Sequence, residues 1–112
     1  MDTICALLEL REWESEHFPL CSSIGQSVFA YIAKQHLSGN TPTVKQLIHD
    51  LEGYSRAGIR LQLKRLEAEG WIELTNGMSD ARNRHVATTS KLDHLLHAYK
   101  SEVRKKLVET SK

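Results

Sequence analysis

Arg56, Arg60 and Lys64 recur at intervals of four residues, and a second cluster, Asp80-x-Arg82-x-Arg84, lies further along the chain. Cations at this spacing share one face of a helix, where they can meet phosphates or the edges of guanine. A carboxylate beside an arginine can hold its guanidinium in place for the same task. The chemistry implied is anion recognition, and it is local. The 112-residue chain has a formal net charge of only +1, because Glu9 to Glu16 is acidic while Arg56 to Arg65 and Arg82 to Arg84 are basic. Local positive surface is sufficient for a nucleic-acid face.

Other candidate chemistry is thinner. Cys5 and Cys21 are too few and too isolated for a disulfide or metal framework, and acidic neighbours such as Glu9 disfavour a reactive thiolate, so buried structural cysteines are expected. His94 and His97, three apart, can be set beside Asp93 or His85 as a metal set, but helical histidine pairs are more often surface or interface residues, and no metal is expected. Asp80, His85 and Asp93 are spread over loop, strand and helix in a chain too short for an enclosed cleft. With neither a glycine-rich phosphate loop nor a nucleophile elbow, the reading is a non-enzyme without a cofactor.

The elements that must position these cations are legible from periodicity and caps. Asp2 to about His17 is helix-forming, with Ile4, Leu7, Leu8 and Trp13 at helical spacing, and Phe18-Pro19 ends it. Ser23, three residues before Gln26, opens a second helix with Ile24, Val28, Phe29, Ile32 and Leu37 on one side and Gly39 as its stop. Thr43 and Gln46 repeat the capping pattern before a short helix with Val44, Leu47 and Ile48 inward. Leu51 to Tyr54 forms a turn, and Ser55 caps a third helix whose buried row is Ile59, Leu63 and Leu66. Arg56, Ala57, Gly58, Arg60, Leu61, Lys64 and Arg65 are left toward solvent or a partner. Two short helices joined by a glycine-containing turn, the second presenting cations, read as a helix-turn-helix. Gly70 stops that helix; Trp71 to Thr75 and His85 to Thr89 then read as strands joined by a nine-residue connection, a β-wing. From Lys91 to about Glu109 a long amphipathic helix carries Leu92, Leu95, Leu96, Tyr99, Val103 and Leu107 along one face.

The expected fold is therefore mainly α with a small β-wing, a winged helix-turn-helix flanked by N- and C-terminal helices. Its organisation is read as one domain over residues 1–112, with a DNA-binding core at 43–89 and flanking dimerisation helices at 2–17 and 91–109. No apolar run approaches the roughly 20 residues of a membrane-spanning helix, and the N-terminus lacks the features of a secretory signal, so a cytoplasmic protein without membrane partners is expected.

Residues Thr43 to Thr89 resemble the winged helix-turn-helix of the MarR family of bacterial transcription regulators. The resemblance rests on Ser55 through Ile59, Leu66-Glu67 and Gly70 in the recognition helix, and on Asp80, Arg82, Val86 and Thr89 in the wing. Ala81, Thr88, Leu92 and Leu61 depart from residues usual in that family. The resemblance implies double-stranded DNA as partner, with a recognition helix in the major groove and wing arginines at the minor groove.

The expected DNA-binding set is Thr43, Ser55, Arg56, Ala57, Gly58, Arg60, Leu61, Lys64, Arg82 and Arg84, with Asp80 orienting the wing. Ser55 and the amides at its helix start can also hold a phosphate. Apolar stripes at both ends resemble a core cut in two, which favours a homodimer through Ile4, Leu7, Leu8, Leu95, Leu96, Tyr99, Val103 and Leu107. A small-molecule effector is left open. The alternative is a winged-helix protein-interaction module without direct DNA binding, in which exposed Leu61, Trp71 or Tyr54 carries the binding.

Overall fold

Four helix starts are written in short polar residues, and the computed structural model, which describes residues 2–19, 22–75 and 84–108, shows how each is used. Asp2 caps α1 (Thr3–His17), Ser22 caps α2 (Ser23–Leu37), Thr43 caps α3 (Val44–Asp50) and Ser55 caps α4 (Arg56–Ala68). Strands β1 (Ile72–Thr75) and β2 (His85–Thr88) follow, then α5 (Ser90–Val103), which continues into a π-helical turn, Arg104–Val108. The chain is mainly helical with a small two-stranded wing. It forms two compact units, residues 20–92 and residues 1–19 with 93–112.

The larger unit is built on the α2–α4 pair. The Thr43–Gln46 capping box is present: the Gln46 amide donates to Thr43 Oγ1 at 3.1 Å, and the Thr43 amide donates to Gln46 Oε1 at 2.9 Å. At α2 the cap is Ser22 rather than Ser23, its Oγ accepting from the Gly25 amide at 3.0 Å. That start frees Ser23 to lie 3.4 Å from the Tyr54 hydroxyl. Leu37 is also corrected. It stands five residues past Ile32, well round the helix from the buried row of Val28, Phe29 and Ile32, and is 73% exposed.

Both α2 and α4 end alike. Gly39 and Gly70 take φ of 79° and 82°, and the amides of Asn40 and Trp71 reach back to Gln35 O and Leu66 O at 2.9 Å. These are Schellman closures, which satisfy carbonyls that a helix end otherwise leaves open. The expected row of Ile59, Leu63 and Leu66 is buried, with Gln62 beside it. Gly58 packs closely against α2: a Cβ there would stand 2.8 Å from Ile24 Cδ1 and 2.9 Å from Ser55 Oγ.

Strands β1 and β2 are antiparallel, with Ile72 opposite Thr88 and Thr75 opposite His85. Ile72 and Val86 are buried. The other edge of β2 is also occupied: the Val44 amide donates to Arg84 O at 2.8 Å and the Val86 amide to Pro42 O at 2.9 Å, and Thr43 bridges His85. Further ties run from β2 to α2, through a 3.0 Å hydrogen bond between Thr88 Oγ1 and His36 Nδ1. The Thr89 hydroxyl donates to Gly70 O at 2.6 Å, fastening the chain after β2 to the end of α4.

The smaller unit contains α1 and most of α5. Ala6 and Leu10 are the buried residues of α1. Trp13 stacks on His17 at 4.1 Å and on Tyr99 at 5.7 Å, and Phe18 meets Tyr99 edge-on at 5.2 Å. The Tyr99 hydroxyl donates to Glu14 Oε2 at 3.0 Å. Cys5, expected to be buried, is exposed, because the inward side of α1 is taken by Ala6 and Leu10; Cys21 lies outside the described residues. Among the described residues no helix is long and apolar enough to cross a membrane.

Three tyrosines report these contacts by their ionisation. Burial, then the hydrogen bond and charge of Asp50, pushes Tyr31 up to about 12. Burial and Glu14 do the same to Tyr99, also to about 12. The hydroxyls of Ser23 and Ser27 lower Tyr54. A spectrophotometric titration of phenolate formation should show one tyrosine ionising early and two at about pH 12. Because Tyr31 and Tyr99 are raised, their neutral forms support the fold below the ordinary tyrosine range of about 10, and that support fades as pH climbs toward the folded values. On α4, Leu66→Ala should cost about 2–5 kcal/mol in urea unfolding. Arg60→Ala, six residues earlier on the exposed side, should stay within about 0.5 kcal/mol.

Candidate nucleic-acid interface

Burial of Ile59, Leu63 and Leu66 fixes the rotation of α4, and with it where its cations point. Arg56, Arg60 and Lys64 are all exposed. They line one concave groove of about 1000 Å³ between α3, α4 and the base of the wing. Arg84, exposed at the start of β2, reaches the same groove, and so does Lys45 from α3. Five cations thus face two carboxylates, Glu52 and Glu67, within the lining, a strong local excess of positive charge in a chain whose net charge is +1. Such a concavity concentrates positive potential and suits a polyanion.

Sequence reasoning did not single out Lys45 or His49. Both fall on the side of α3 left open once Val44 and Leu47 are buried, so the same periodicity that located the core carries their signal. In the sequence Glu67 stands out only as part of a Leu-Glu pair. Its Oε2 accepts from the Leu74 amide at 3.1 Å, so the carboxylate closes the outer edge of β1 and joins the end of α4 to the wing.

Other expected site residues sit as follows. Ser55 Oγ accepts from the Gly58 amide at 3.0 Å, and the Thr43 hydroxyl is engaged in its capping box, so both side chains serve helix starts. Ala57 is exposed and Leu61 is 48% exposed, both on the outward side of α4. Gly58 is half-buried toward Ile24. Asp80 and Arg82 lie outside the described residues. Tyr54 sits in the turn before α4, its hydroxyl 2.9 Å from Ser27 Oγ. Trp71, expected to be available to a partner protein, is buried: its ring is met edge-on by Phe29 at 6.4 Å and covered by Lys91 Nζ at 4.3 Å.

Of the expected dimerisation residues, Ile4, Leu7 and Leu8 are 64%, 48% and 53% exposed. Leu95, Leu96, Tyr99, Val103 and Leu107 are half-buried. His94 and His97 are exposed on α5.

No protein-family model matches the sequence, and no curated protein matches it. Solved structures do. The transcriptional regulator Tm0710 from Thermotoga maritima is 19% identical, with a TM-score of 0.70 over 96% of this chain and 70% of that one. The S. aureus MepR–DNA complex is 16% identical, with a TM-score of 0.71 over 96% and 85%. A MarR-like transcriptional regulator (tm0816), also from Thermotoga maritima, is 18% identical, with a TM-score of 0.63 over 99% and 81%. The fold of this chain is the winged helix shared with these regulators.

Proposed function

We propose that this protein is a small bacterial transcription regulator of MarR-like type that binds double-stranded DNA and acts in the cytoplasm by occupancy, without catalysis or a cofactor. The carrying observation is the single groove into which Lys45, Arg56, Arg60, Lys64 and Arg84 converge. MepR, of the same fold, was solved with DNA bound. In this reading α4 enters the major groove, with Ser55 and the amides around it at a phosphate. Arg82 and Arg84 approach the minor groove, where narrow A·T tracts concentrate negative potential, and Asp80 steadies one of them.

On this reading residues 43–89 are the DNA-binding core, and 2–17 and 91–109 are dimerisation helices. Ile4, Leu7 and Leu8, exposed along α1, give a second copy an apolar surface to cover. A two-fold dimer would place two copies of α4 about one DNA turn apart on a palindromic site.

Two measurements test this. In a titration against duplex DNA at several salt concentrations, Arg60→Ala, Lys64→Ala and Arg82→Ala should each weaken binding and lower the slope of log affinity against log salt by about 1. Unchanged affinity in all three would sink the proposal. In sedimentation, the full chain should run as a dimer and Leu8→Glu should shift it toward monomer; a parent that stays monomeric at high concentration would refute the dimer.

A further inference from the structure

The outward pole of α4 carries a large apolar side chain, Leu61, where a nucleic-acid face is usually polar. With each residue turning about 100°, the buried side centred on Ile59, Gln62, Leu63 and Leu66 places Ala57, Leu61 and Lys64 opposite it. All three are exposed, and Leu61 keeps 48% of its surface in water. It is the exposed large hydrophobic residue of α4, one turn from Ala57 and bordered by Lys64 and Arg65.

We infer that Leu61, with Ala57, is the specificity-determining apolar contact of α4 and reads the 5-methyl group of thymine in the major groove; this rests on the DNA-binding reading above. A helix about 10–12 Å across fits a major groove about 12 Å wide, and the residues at its outward pole reach the base edges. An isobutyl group neither donates nor accepts hydrogen bonds, so it cannot read the N7, O6, N6 or N4 groups. The thymine methyl is the apolar group that a base pair displays in that groove. Charge complementarity selects this occupant over a protein. A partner covering Leu61 would also have to cover the neighbouring Lys64 and Arg65, whereas the duplex sets phosphates on either side of the groove floor for those cations to meet.

The test uses the full chain and a duplex that it selects from a random pool. That duplex is remade with deoxyuridine in place of thymidine at one position at a time, which removes the methyl and preserves base pairing. At the position facing Leu61 the parent should bind the uracil duplex about fourfold more weakly, the worth of one methyl-sized contact. For Leu61→Ala the thymine-to-uracil ratio at that position should fall toward unity, while its thermal midpoint and salt slope stay those of the parent. Equal affinity for thymine and uracil duplexes at every position would overturn the assignment and leave salt-dependent binding intact, as would a thymine preference that Leu61→Ala does not alter. Failure of the parent to bind any duplex at low salt would instead overturn the DNA-binding reading beneath it.

Discussion

The way the wing side of the cationic groove meets its helices depends on β2 being hydrogen-bonded along both edges. A two-stranded hairpin in water is marginal on its own. Here β2 pairs with β1 on one side and with Pro42–Val44 on the other, so the backbone just before α3 acts as a third, very short strand. Pro42 can take that place because only its carbonyl is used, as acceptor from the Val86 amide. The consequence is geometric. The start of the first helix of the helix-turn-helix and the base of the wing are fastened by the same ladder, so Lys45 and Arg84 belong to one rigid frame.

That frame explains how a nearly neutral chain can carry a strongly charged site. Dispersed, its cations and anions would cancel at the range of the Debye length, about 8–10 Å in physiological salt. Instead α3, α4 and Arg84, just before β2, each contribute to one concavity, where the charges of five cations add before they are screened. Glu67 lies in the same lining and opposes them. Its placement is accounted for by the Leu74 amide, which would otherwise remain an open donor on the edge of β1. A carboxylate there weakens the local field somewhat and in return fixes the angle at which the wing leaves α4.

Much of this was legible in the sequence because it is set locally. The Thr43–Gln46 pair, the Ser55 cap and the glycines at 39 and 70 each specify a helix end through neighbours a few residues away, and the periodic row Ile59, Leu63, Leu66 then fixes the rotation of α4. What was not legible is set by distant partners. Adjacent Ser22 and Ser23 are equivalent caps by type, and the choice between them goes with Tyr54 lying in reach of the second. Trp71 reads as an exposed aromatic until Phe29 and Lys91 enclose it. The pairing of Pro42–Val44 with β2 joins segments some forty residues apart, and nothing in Thr41-Pro42-Thr43 marks it as a strand edge.

The same ladder ties the groove to the ends of α2 and α4. Arg84 offers its carbonyl to Val44 while its side chain faces the groove, so a displacement of the 42–44 segment moves Arg84 and the start of α3 together. Thr88, two residues beyond Val86 on β2, is held by His36 near the end of α2, and Thr89 is held by Gly70 at the end of α4.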